Sequence, residues 1–97
     1  MKVTTKSGFE CEINERILED WRFVRAVAKS NSDDENNKIN GAVEIVSLLM
    51  GTNEEAFYKY LSSKDPDGIV SESAVTDDLV SIIDQIKALK NSQSSDG

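Results

Sequence analysis

The chain predicts an α+β domain, mainly α, with an N-terminal β-hairpin packed on a bundle of about four helices. Three observations predict it. Residues 3–13 alternate in hydropathy around a Ser-Gly pair, the period of a half-buried hairpin. Beyond residue 15, most apolar residues recur at three- and four-residue spacings. At 97 residues, 38% hydrophobic and 30% charged, the chain makes one domain with a modest core and a well-solvated surface. That domain is expected over residues 1–90, with a polar tail, residues 91–97, expected to be disordered.

Val3 to Lys6 is β-prone, Ser7-Gly8 supplies the turn, and Phe9, Cys11 and Ile13 alternate with Glu10 and Glu12. A hairpin this short is marginal alone and needs an apolar support. Asn14 occupies a helix N-cap position, and a helix is expected from Glu15 to Lys29. Its main stripe is Ile17, Trp21, Val24 and Ala28, widened by Leu18, with Arg22, Arg25 and Lys29 along a basic edge. Phe23 and Val27 fall on a second side, so this helix is either sandwiched or available to a partner.

Ser30 to Asn40 has one apolar residue in eleven and reads as a mobile loop. Asn40 then caps a helix from Gly41 to Met50, apolar on most sides, which Gly51 terminates. Thr52 and Glu55 form a capping box for a third helix ending near Leu61 or Ser63. Ala56, Phe57, Tyr60 and Leu61 share one of its faces, and Tyr58 points elsewhere. Lys64 to Gly68 is a turn, Ile69-Val70 a short extended piece, and Ser71 or Ser73 caps a last helix running to Lys90. Val75, Leu79, Ile82, Ile86 and Leu89 give that helix a long stripe.

The formal charge of −7 is uneven: residues 1–30 carry net +1 and residues 31–97 net −8. An acidic chain with no basic patch is a poor match for phosphate backbones, so nucleic-acid binding is not expected, even from the tight helix-turn-helix corner at Gly51. One cysteine excludes an internal disulfide, and with no histidine in the chain Cys11 reads as a core residue rather than a nucleophile. The acidic turn at Asp65–Gly68 lacks the anchoring first and last ligands of a calcium loop. No phosphate-binding loop, nucleophile elbow or metal-ligand pattern is present, so neither an enzyme nor a cofactor or metal site is expected. No stretch approaches the length of a membrane span and no signal peptide is evident, which points to the cytoplasm.

From Lys6 to Glu15 the chain reads K-S-G-F-E-C-E-I-N-E, followed by Leu18-Glu19-Asp20-Trp21. This opening resembles the small tail assembly chaperones of phages and prophages of Gram-positive bacteria, in which S-G-F-x-x-x-I-D/N-E precedes an acidic-aromatic step. The likeness continues at Leu48-Leu49-Met50-Gly51 and at Asp67-Gly68-Ile69-Val70. It covers most of residues 2–90 as an order of elements, but only about thirty positions as motif.

The resemblance implies a non-enzymatic late protein of the host cytoplasm. Such a protein binds the tape measure protein, keeps that long helical chain soluble until tail-tube subunits surround it, and is absent from the mature virion. Self-association would also suit a protein that coats a long chain. Phe23, Val27 and Tyr58, which lie outside the main stripes, are the candidate partner-binding residues. Two other readings compete: an acidic inhibitor that mimics nucleic acid, supported by the charge of residues 31–97, and a small regulatory interaction protein.

Overall fold

In the computed structural model, which describes residues 1–94, Lys2–Thr4 (β1) and Glu10–Glu12 (β2) pair antiparallel with Val3 opposite Cys11. Both inward residues are buried, while Lys2, Thr4, Glu10 and Glu12 are exposed, as the alternation requires. Gly8 closes the turn at φ +102°, and its N–H donates to the Thr5 carbonyl at 2.9 Å. The Thr5 hydroxyl accepts from the Phe9 N–H at 3.1 Å, so the buried Thr5 is satisfied.

The expected strand-to-helix junction is a two-step turn rather than a direct entry. The Asn14 side chain accepts from the Arg16 N–H at 2.9 Å, and a 3-10 turn follows at Ile17–Glu19. Asp20, not Asn14, caps the first α-helix, Trp21–Ser30 (α1), accepting from the Arg22 N–H at 2.8 Å. Hydrogen bonding to the Arg22 side chain is the main reason that the Asp20 carboxyl is held down to about 2. A depressed carboxyl stabilises the fold above its ordinary value of 3.8 and loses that effect as pH falls toward about 2.

Restarting the helix at Trp21 changes which face is buried. Phe23 and Ala26 enter the core and Val27 packs against it, whereas Trp21 is 74% exposed and Val24 and Ala28 also face solvent. The expected core stripe is therefore overturned at Trp21, Val24 and Ala28, while Ile17, in the 3-10 turn, packs half-buried against the core as expected. Arg25 explains why: at i+4 from Trp21 and i−3 from Ala28 it borders that stripe, and turning the stripe inward would carry a guanidinium toward the core. The sole tryptophan provides a direct check. Its fluorescence is expected to be red-shifted and fully open to acrylamide quenching in the folded state; a blue-shifted, protected emission would contradict this face assignment.

The loop expected at 30–40 shrinks to residues 31–34, because Asp34 caps the next helix, Glu35–Met50 (α2), accepting from the N–H groups of Asn36 and Asn37 at 2.9 and 3.1 Å. Asn40, expected as the cap, is an interior residue of α2. A polar start of nearly two turns disguised the helix, since residues 35–40 are all exposed and hold one apolar residue, Ile39. The two helices form an antiparallel hairpin, pinned by Lys29 to Glu44 at 3.0 Å.

Gly41 is the point of closest approach. A Cβ placed there would lie 2.4 Å from the Ser30 nitrogen and 2.7 Å from the Ala26 oxygen, both backbone atoms of α1. In an exposed helix Gly→Ala stabilises by about 1 kcal/mol. Gly41→Ala is instead expected to destabilise by about 2 kcal/mol in urea unfolding, because the helices must separate to admit the methyl group.

Gly51, at φ +54°, ends α2 as expected. No capping box forms at Thr52: a 3-10 turn, Gly51–Asn53, leads into Glu54–Lys64 (α3). Asn53 is used elsewhere, its amide donating to the Glu12 carbonyl at 2.8 Å. In the turn after α3, Gly68 has φ +72° and the Asp65 carboxylate accepts from the N–H groups of Asp67 and Ile69. Ile69 and Val70 join no sheet.

Ser71 caps the last helix, Glu72–Ser94 (α4), accepting from the Ala74 N–H at 3.2 Å. The helix continues through residues 91–94, past the expected stop at Lys90; the rest of the expected disordered tail, 95–97, lies outside the described residues. Leu79, Ile82 and Ile86 of its stripe are buried, together with Ile45, Val46, Leu49 and Met50 of α2 and Phe57 and Leu61 of α3. The hairpin closes one end of this core. Phe9 packs 5.5 Å from the rings of both Phe57 and Tyr60, and the Tyr60 hydroxyl donates to the Ser7 carbonyl at 2.9 Å. Asp78, fully buried on α4, accepts from the Ser7 N–H at 3.0 Å and from the Ser7 hydroxyl at 2.6 Å.

Candidate functional site

The three residues singled out from sequence separate in the structure. Phe23 is 4% exposed and belongs to the core, which removes it as a surface anchor. Val27 is half-buried against that core on the same side of α1. Only Tyr58 reaches an open apolar surface, a groove bounded by α2, α3 and α4.

Each wall follows from helical spacing. Ile39, Ala42, Val43 and Val46 lie along one side of α2, at the i, i+3, i+4, i+7 positions of a continuous stripe. Val46 is buried and makes floor; Ile39 and Val43 are each 56% exposed and make rim. Val75 and Leu79, one turn apart on α4, face them, and Glu72 and Thr76 border the same side. The Tyr58 ring lines the groove from α3, with its hydroxyl donating to Glu54 Oε2 at 2.7 Å. Burial is the main reason that the Tyr58 phenol is pushed up to about 12, with the Glu54 hydrogen bond and charge adding to it. At neutral pH it is an uncharged ring and a hydrogen-bond donor. The space within the groove is about 300 Å³, enough for a few aliphatic side chains.

Chemically the groove offers contact and little else. Its one charged lining residue is Glu72, and the chain's single thiol, Cys11, is buried under the hairpin and raised above its ordinary value by that burial. Among the described residues no cluster of three or more His, Cys, Asp or Glu is placed to hold a metal, and no helix is long and apolar enough to cross a membrane.

Comparison with known proteins finds no matching family model, no matching curated protein and no matching solved structure.

A second apolar surface lies on the outer side of α1, where Trp21 and Val24 are exposed beside Arg22 and Arg25. Sequence reasoning assigned Trp21 and Val24 to the core and Ile39 to a loop, and counted Val43 among the buried faces of a central helix. One signal marked the first two: Arg25 interrupts their stripe. For Ile39 the signal was the Asp34-Glu35 pair, a cap followed by a first-turn acid one turn ahead of it.

Proposed function

We propose that this chain is a tail assembly chaperone of a phage or prophage, which binds the tape measure protein and keeps it soluble in the host cytoplasm during tail assembly. The observation that carries the reading is the open apolar groove with exposed Ile39 and Val43 on an otherwise heavily charged small domain. A long helical chain with bare apolar stripes precipitates unless those stripes are covered, and a groove with aliphatic rims covers a stripe. The likeness of Lys6–Glu15 and of the Asp20-Trp21 step to the chaperone family supplies the identity of that chain. The protein acts by binding, without catalysis or cofactor, and leaves before the virion is complete.

The test is titration of the full chain with a fragment of the tape measure protein from the same genome. Saturable binding at micromolar concentrations or tighter is expected. No binding in that range overturns the reading, and binding that vanishes steeply with salt would favour the acidic mimic instead.

A further inference from the structure

We propose that the α2–α3–α4 groove takes a single amphipathic helix whose apolar stripe is flanked by Lys or Arg; the identity of the partner rests on the chaperone reading, and the chemistry of the segment on the groove. Shape selects the helix. The walls are three helices whose backbone groups are already bonded within them, and neither strand borders the groove. An extended segment would therefore find no backbone partners there, whereas a helix satisfies its own. From Ile39 to Val46 the α2 wall rises through seven residue steps, or about 10 Å, the length of two helical turns. Two turns present side chains at i, i+3, i+4 and i+7, which is the spacing Ile39 and Val43 can bracket.

Charge selects the flanks. Glu72 stands on the α4 border, Glu54 lies at the Tyr58 hydroxyl, and Glu35 sits one turn before Ile39 on the same side of α2. No Lys or Arg lines the groove. Lys59 is turned about 100° from Tyr58 around α3, and Lys38, one turn before Ala42, is spent on Glu35 at 3.9 Å, which leaves Glu72 and Glu54 as the charges that select the flanks. On the other side of Val43 a second hollow holds Arg25 and an Arg22 already paired with Asp20 at 2.6 Å. A helix with cationic flanks is thus drawn to the Glu72 and Glu54 side of the groove and not to the α1 side.

The experiment uses two fluorescent helical peptides with one Leu stripe, flanked by Lys in the first and by Glu in the second, titrated with the full chain. The Lys peptide is expected to bind about tenfold more tightly, as two or three exposed charge pairs allow. Near 1 M salt, where the screening length is about 3 Å, the preference should shrink toward parity. Val43→Asn removes an exposed anchor and should weaken the Lys peptide about fivefold, a cost of the order of burying one small side chain. Val24→Asn, the same change on α1, should leave it unaltered.

Equal affinity for the two peptides overturns the proposal, as does binding that Val43→Asn leaves intact or that Val24→Asn weakens equally. Concentration-dependent association of the free protein that Val43→Asn abolishes also overturns it, since the occupant is then a second copy. The tape measure fragment separates the two levels. If it binds equally to wild type and Val43→Asn, the groove assignment fails and the chaperone reading stands. If the Lys peptide binds at the groove and the fragment binds nowhere, the chaperone reading fails and the groove chemistry stands.

Discussion

Phe57→Ala is expected to remove about 4 kcal/mol of stability. Phe57 has no exposed surface and is among the largest fully buried side chains. Its ring meets Phe9 of the hairpin at 5.5 Å and Tyr58 of its own helix at 6.0 Å, so it joins the hairpin to the helical core. Truncation forfeits the transfer free energy of the ring and leaves a cavity between elements that cannot both collapse into it. Domains of this size are stable by about 5–15 kcal/mol, so the variant should keep about 1–11 kcal/mol and unfold at a markedly lower urea concentration. Urea unfolding followed by circular dichroism measures the loss. Phe57→Leu, which keeps most of the volume, should cost less than half as much. A loss below about 2 kcal/mol for the alanine would mean that Phe57 does not sit at the junction of hairpin and helices.

Asp78→Ala should cost about 3 kcal/mol, at the upper end for hydrogen bonds to a charged group. The carboxylate is fully buried and takes both polar hydrogens of Ser7, at 3.0 and 2.6 Å, across 71 residues of sequence. Removing it strands the Ser7 N–H beneath the turn and frees the hairpin tip from α4. Ser7→Ala, which loses only the hydroxyl bond, should cost about 1 kcal/mol, and the double variant should show strong coupling because both act on one latch. Hydrogen exchange gives a second readout. In Asp78→Ala the amides of the hairpin turn should lose protection while those around Ile82 and Ile86 keep theirs relative to the global transition. If Asp78→Ala costs less than 1 kcal/mol, the buried carboxylate is not what holds the hairpin down.

The two residues were not equally visible in the sequence. Phe57 was, because Phe57 and Leu61 fall one turn apart on a face that any helical reading would bury. Asp78 was not: next to Asp77 in the first half of a helix it looks like one of two solvated acids that suit the helix dipole. Its burial depends on where the Ser7-Gly8 turn lands, a contact 71 residues away that no local pattern encodes. The fold class was legible because the two periods, two in residues 3–13 and three to four beyond, change cleanly at Asn14. The stripe of α4 was legible for the same reason, and its buried members are the expected ones.

What failed did so at polar helix starts. Asp20 has a rival cap residue before it, Asn14, and Asp34 one after it, Asn40, and each displaced a boundary by six residues. The first shift matters most, since moving the start of α1 from Glu15 to Trp21 sent Phe23 inward and Trp21 outward. The candidate site suffered accordingly. Tyr58 survives as part of the groove, Phe23 does not, and Ile39 and Val43 emerge only because α2 begins six residues earlier than its apolar run.

The central claim, that this domain keeps an apolar helical chain in solution, is tested most directly by co-expression with the tape measure protein of the same genome. The fraction of that protein left in the supernatant after centrifugation should be high with the wild-type chain and fall with Val43→Asn, while Val24→Asn protects as well as wild type. A tape measure protein that precipitates to the same extent with and without this chain would contradict the claim.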